Sequence, residues 1–256
     1  MCLVVISWQN HPEYPLIIIS ANRDEFFERP TAAMHRWESG FYGGKDLRSG
    51  GTWLGFHPNG RWSLLTNYRD FTQTRKSEIS RGELVRNFIE GQSDPEEYLR
   101  KIQSEMDRYD GFNLLVSDGD RLFYLSNFRE KIEEIAPGIH GLSNGLINDP
   151  WPKIELAKTQ LIQILQSEIS EGKLIEILKS TEKCPIESLP KTGVPFEMEI
   201  GLSAQMIRLG ENYGTVSSTS VLQHKSGLTR IKERTFQWDF SLFEDREFTF
   251  DLNKPI

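Results

Sequence analysis

Cys2 stands directly behind the initiator methionine and opens the apolar run CLVVISW. A thiol there is one processing step away from a nucleophile that carries its own base. Once Met1 is removed, the α-amine of Cys2 lies beside its side chain. A free thiol titrates near pH ~8.5 and an α-amine near ~7.7–8.0. An uncharged amine at neutral pH can therefore take the thiol proton, directly or through water. With Met1 in place the same nitrogen is an amide and the scheme has no base. Methionine is ordinarily cleaved ahead of a small residue such as cysteine, which keeps the scheme open.

The groups that would serve such a thiol are Asn22-Arg23-Asp24-Glu25, Asn67 and Asn144. A neighbouring arginine favours thiolate, and a carboxylate can orient the ammonium that forms. If the first hairpin turns near residues 11 and 12, Cys2 lies opposite about Ala21, and the NRDE stretch emerges beside the chain terminus. Strand side chains alternate, so Arg23 and Asp24 both face Cys2 only if the strand has ended there. Plainer readings stand beside these. Cys2 also suits an inert edge-strand position, NRDE a solvated strand end, Asn67 a strand terminator, and Asn144 in GLSNGL a turn.

Other chemistries find less support. His11, His35, His57, His140 and His224 show no metal-ligand spacing with Cys, Asp or Glu. His57 and His140 are pocket candidates, although a structural histidine explains each as well. GGKDLRSGG lacks the spacing and the Ser/Thr of a phosphate loop. Trp37, Trp53 and Trp62 read as core. The net charge of −7, without a run of Lys and Arg, argues against a nucleic-acid partner. The longest apolar runs, CLVVISW and PLIIISA, are far shorter than a bilayer span. With two cysteines, no disulfide framework and no secretory leader pattern, the expected location is cytoplasmic.

The elements that must position these residues are legible from turns and caps. The 256 residues, 38% of them hydrophobic, suffice for one large domain, and no repeat or linker divides them. Antiparallel hairpins are expected for CLVVISW with LIIISAN, for TWLGFH with RWSLLTN around Pro58-Asn59-Gly60, and for FNLLVS with RLFYLSN around Asp118-Gly119-Asp120. Ser80-Arg81-Gly82-Glu83 reads as a capping box ahead of LVRNFIE. Asp94-Pro95 and Asp149-Pro150 each read as a helix start, and GKLIEILKS as a shorter helix. AQMIRL, TVSSTSVLQH, LTRIKERTF and REFTFDL return to strands, while 184–196 reads as a Pro-rich loop. Strands, helices, then strands predict an α+β sandwich of antiparallel sheets covered by helices.

SANRDEFFERPTA, GGTWLGFHPNGRWSLLTNYRD, RGELV, GFNLL, GLSNGLINDPWPK and YGTVSST, in that order, resemble the NRDE family, which includes the transport-and-Golgi-organization proteins. The likeness runs from Met1 to about residue 155 and returns near Tyr213. It implies an N-terminal-nucleophile hydrolase fold, a four-layer αββα sandwich. More distantly the pattern is similar to choloylglycine hydrolases and penicillin V acylases, which use an N-terminal cysteine, an arginine, an aspartate and asparagines. By that resemblance Cys2 falls on the nucleophile, Asn67 on an oxyanion-hole amide and Asn144 on the second asparagine. Asp24 matches the acylase aspartate. Arg23 matches less well, because the acylases separate these two residues and here they are adjacent. Val216 replaces the arginine of the family's YGTR.

The reading that leads is a hydrolase of a non-peptide C–N bond in a small-molecule substrate, requiring no cofactor. The alternative, implied by the resemblance, is a non-catalytic carrier of haem or of a lipid or acyl-CoA. Cys184-Pro185 is the kind of dipeptide found in haem-regulatory sites, although a plain loop cysteine explains it equally. A partner-binding role in secretory organisation rests on the family's name alone.

Overall fold

The computed structural model describes residues 2–72, 77–237 and 241–252. In chain order the strands are β1 (Cys2–Trp8), β2 (Ile17–Phe26), β3 (Thr31–Arg36), β4 (Tyr42–Asp46), β5 (Leu54–Phe56), β6 (Trp62–Asn67), β7 (Phe112–Ser117), β8 (Leu122–Ser126), β9 (Glu133–Glu134), β10 (Gly138–Leu142), β11 (Arg208–Leu209), β12 (Tyr213–Gln223), β13 (Leu228–Phe236) and β14 (Phe243–Asp251). The helices are α1 (Gly82–Glu90), α2 (Pro95–Gln103), α3 (Pro152–Leu165), α4 (Glu171–Glu176) and α5 (Phe196–Gly201). One sheet runs β10-β1-β2-β12-β13-β14, with β11 paired to β12; the other runs β3 through β9 in sequence order.

Alternation along the strands sorts the apolar side chains into layers. Val4, Ile6 and Trp8 of β1 and Ile17, Ile19 and Ala21 of β2 meet Leu54, Phe56, Trp62 and Leu64 between the sheets. On the outer face of the first sheet, Leu3, Val5 and Ile18 pack on Ile154, Ala157 and Leu161 of α3 and Leu174 of α4. On the outer face of the second, Leu114, Val116 and Leu125 pack on Val85 and Phe88 of α1 and Leu99 and Ile102 of α2. Each fully buried Leu, Ile, Val or Phe contributes roughly 1.5–3 kcal/mol. The result is the expected order of layers, αββα.

Local signals were reliable where turn chemistry set them. Phe56 pairs with Trp62 and Ser117 with Leu122, so the second and third hairpins close as expected, the second with Gly60 at φ 94°. Asp94 caps α2, accepting from the N–H groups of Glu96 and Glu97. The first hairpin differs: Cys2 pairs with Arg23, two residues beyond Ala21. Its loop is longer than expected, since Gln9 adopts a positive φ and its N–H bonds to Leu16.

Two helix starts also differ. Arg81 takes the cap position of α1 without a side-chain cap bond, so the capping box does not form. Asp149 instead receives the N–H of Leu146, and α3 begins at Pro152 behind Trp151. Of AQMIRL, strand forms at Arg208–Leu209, and α5 follows directly on the 184–196 segment.

Candidate active site

The site begins with the β1–β2 register. Cys2 and Arg23 are directly opposed, so both side chains share the face between the sheets. The Arg23 guanidinium lies 4.1 Å over the Trp53 ring and 3.4 Å from Glu25. β2 does not end beside Cys2, because β12 pairs with its other edge through Asp24↔Thr215, Glu25↔Gly214 and Phe26↔Tyr213. The expectation that NRDE emerges from the strand is therefore replaced by a fully strand-bound NRDE. Asn22 points away from the sheet interface, donating to the carbonyls of Leu178 and Gln205. Asp24, buried, accepts from the Thr215 hydroxyl at 2.7 Å. Val216 sits where the β12 register shifts, between Thr215 and Ser217.

Burial dominates the electrostatics. It pushes the Cys2 thiol up, the Asp24 charge adds to the rise, and Arg23 and the Asp24 backbone N–H oppose it. Burial likewise raises Asp24, opposed by Lys153, by the Thr215 hydrogen bond and by Arg23. Lys153 is 4% exposed, donates to the Leu202 carbonyl at 2.9 Å, and is pushed by burial down to about 8. A buried charge costs several kcal/mol unless compensated, and here Lys153 and Asp24 compensate one another. Arg69 is paired with Glu199 at 2.8 Å, and Glu199 also accepts from Thr192.

Cys2, Arg23, Asp24 and Asn67 line one cavity of about 800 Å³. Its walls include Trp53, Tyr68, Arg69, Arg81 and Tyr213, and its mouth carries the exposed Phe26, Phe71 and Met198. Such a volume is in the range of a small-molecule site. Asn67 ends β6 opposite Phe112 and is half-buried at the wall. Asn144 is not part of that wall. Fully buried behind it, Asn144 donates to the Asn67 carbonyl at 2.8 Å, while its own carbonyl receives Arg69 N–H. Neighbouring Ser143 donates to the Cys2 carbonyl at 2.9 Å. The GLSNGL turn thus holds Cys2 and Asn67 in place together.

Met1, on which the expected N-terminal nucleophile depends, lies outside the described residues. His57 and His140 bond to the carbonyls of Ser39 and Ala136 and do not line the cavity. Cys184 is half-buried elsewhere, its N–H on the Ser203 hydroxyl. Sequence reasoning missed Lys153, Arg69, Arg81 and Thr215. Each stands inside a motif string quoted above, but only the fold reveals what it meets.

The two antiparallel sheets between helical layers define the class: a mixed α+β sandwich whose fold is similar to that of a solved N-terminal-nucleophile hydrolase. The C2A mutant of conjugated bile acid hydrolase from Clostridium perfringens superposes with a TM-score of 0.53 at 10% identity, covering 99% of this chain and 93% of that one. The family model "Transport and Golgi organisation 2" matches residues 1–238, and the chain belongs to that family. The Transport and Golgi organization protein 2 homologs of Bos taurus and Homo sapiens are each 31% identical, covering 96% and 98% of this chain and 99% of their own lengths. Transport and Golgi organization protein 2 of Drosophila melanogaster is 28% identical over 92% of both.

Proposed function

We propose that this protein is a cysteine amidohydrolase acting on a non-peptide C–N bond of a small molecule. The observation that carries the reading is the cross-strand pair Cys2–Arg23 on the wall of an 800 Å³ cavity that Asp24 and Asn67 also line. Burial keeps the thiol protonated, so it needs a base at its side. The α-amine released by loss of Met1 supplies that base. Arg23 favours the thiolate by its charge, and Asp24 orients the ammonium that results.

The thiolate attacks the substrate carbonyl, and the amide of Asn67 donates to the oxyanion together with a backbone N–H. Asn144 acts on this step through Asn67, whose carbonyl it holds. Collapse breaks the C–N bond, the ammonium gives its proton to the leaving amine, and a thioester remains on Cys2. Water, deprotonated by the same amine, then releases the carboxylic acid and regenerates the thiol. That a protein of similar fold is a conjugated bile acid hydrolase supports the chemistry. Expected for untagged protein is an intact mass short by one methionine, with turnover of an amide panel and an acyl adduct on Cys2. Cys2→Ala should abolish both. Turnover that survives Cys2→Ala overturns the reading.

The alternative of a non-catalytic carrier is favoured by one feature, the exposed apolar mouth of Phe26, Phe71 and Met198. It predicts a Soret shift with haem, or acyl-CoA binding, that persists in Cys2→Ala without any acyl adduct.

A further inference from the structure

The cavity holds four arginines, and their partners differ. Arg23 lies on Glu25, Arg29 on Asp46 at 2.6 Å, and Arg69 on Glu199. Arg81 is half-buried at the start of α1, and its Nη1 donates to the Gly111 carbonyl at 2.9 Å. Among the described residues no carboxylate lies within ion-pair distance of it. That leaves the Nε/Nη2 edge of its fork uncommitted, the edge that engages a carboxylate through two parallel hydrogen bonds.

The placement of Arg81 is built, not incidental. Thr52 N–H donates to the Gly82 carbonyl at 3.2 Å, and a Cβ on Gly51 would stand 2.5 Å from the Gly82 carbonyl carbon. Only glycine allows that approach, which clamps the start of α1 against the cavity wall. The charges around Arg81 are Asp110, Glu25, Arg29 and Cys2. Glu25 is already held by Arg23 and Arg29. Asp110 remains, and its negative field opposes a doubly charged group more than a singly charged one.

We propose that Arg81 anchors a carboxylate of the substrate, so that the ligand is an amide carrying a carboxylate within reach of Cys2. The assignment rests on the hydrolase reading for the word substrate, but the subsite itself does not require turnover. The RGELV motif thereby acquires a task that its expected capping box does not perform.

The test compares two alkylating probes that differ in one charge, iodoacetate and iodoacetamide, each read at Cys2 and Cys184 by peptide mass. Cys184, outside the cavity, is the reference within the same molecule. The iodoacetate-to-iodoacetamide rate ratio at Cys2 should exceed that at Cys184 by about tenfold, the low end of what electrostatic steering by a nearby unpaired charge does for an ion. Arg81→Met should lower the Cys2 ratio toward that at Cys184, the ratio cancelling any change in thiol reactivity that both probes share. Asp110→Asn, which leaves Arg81 and its Gly111 bond intact, should raise the Cys2 ratio further. Equal ratios in the wild type, a Cys2 ratio unmoved by Arg81→Met, or one that Asp110→Asn fails to raise overturns the proposal. If the amide panel is not hydrolysed but the ratio behaves as expected, the hydrolase reading fails and the carboxylate subsite stands.

Discussion

Two adjoining stretches of β2, Ile17 to Ala21 and Asn22 to Asp24, are buried alike and do opposite things. From Ile17 to Ala21 the strand puts Ile17, Ile19 and Ala21 into the layer between the sheets and Ile18 against the helices. From Asn22 to Asp24 it is equally enclosed, yet every side chain is polar or charged. The apolar side chains of the first half need no specific partner, because apolar contact is non-directional; Ser20 is the exception, its hydroxyl donating to the Leu174 carbonyl. In the second half each polar group is answered by a segment far away in sequence: Asn22 by Leu178 and Ser218, Asp24 by Thr215, Arg23 by Trp53. Burial by itself therefore does not separate core from site. One end of the sandwich supplies stability, and the other spends part of it on enclosed charge.

The contrast can be broken first at Ile19. Ile19→Ala should cost about 2–5 kcal/mol in urea denaturation, while turnover per folded molecule stays at the wild-type value. A loss below about 1 kcal/mol would show that this half of the strand is not the stabilising one. At the other end, Asn67→Ala should lower kcat by about 10²–10³-fold. Its urea midpoint should hold, since the change is made at a cavity wall. Unaltered turnover with an authentic Cys2 terminus would remove Asn67 from the chemistry.

The smallest effect sharpens the comparison instead. Lys153 is lowered in the folded protein from its ordinary 10.5 to about 8. Between those values the unfolded chain binds more protons than the folded one, so this residue makes stability rise with pH across that window. Wild-type stability measured relative to Lys153→Met should climb from about pH 8 toward pH 10 and be level below pH 8. A flat difference would mean that the lysine ammonium carries no burial penalty.

How much of this was legible follows from what each feature depends on. The hairpin at Asp118-Gly119-Asp120 and the α2 cap at Asp94 are set by a few adjacent residues. The β1–β2 pairing was legible in parity but not in register, because a turn longer by two residues preserves which face each side chain takes. Cys2, Arg23, Asp24 and Asn67 were legible as candidates, and one cavity brings them together. Asn144 was legible as a residue of interest, yet its place behind Asn67 depends on how the GLSNGL turn folds back onto β6. Thr215, Lys153 and Arg69 offered no signal of their own, since a threonine or a basic residue in a motif has many bland explanations.

The amino-acid sequence by itself determined the main hairpins, most helix positions and hence an α+β sandwich, consequences of local turn chemistry and side-chain period, while the αββα order of layers was implied by the resemblance to the NRDE family. Only the tertiary structure decided that β12 would hold NRDE inside the sheet, that Lys153 would be buried within the field of Asp24, and that among the described residues no carboxylate would pair with Arg81. Those outcomes depend on contacts between segments far apart in sequence: Thr215 on Asp24 across 191 residues, Lys153 on Leu202 across 49 and Arg81 on Gly111 across 30. Charge pairing at such separations is set by the packing of whole layers, which no local pattern encodes.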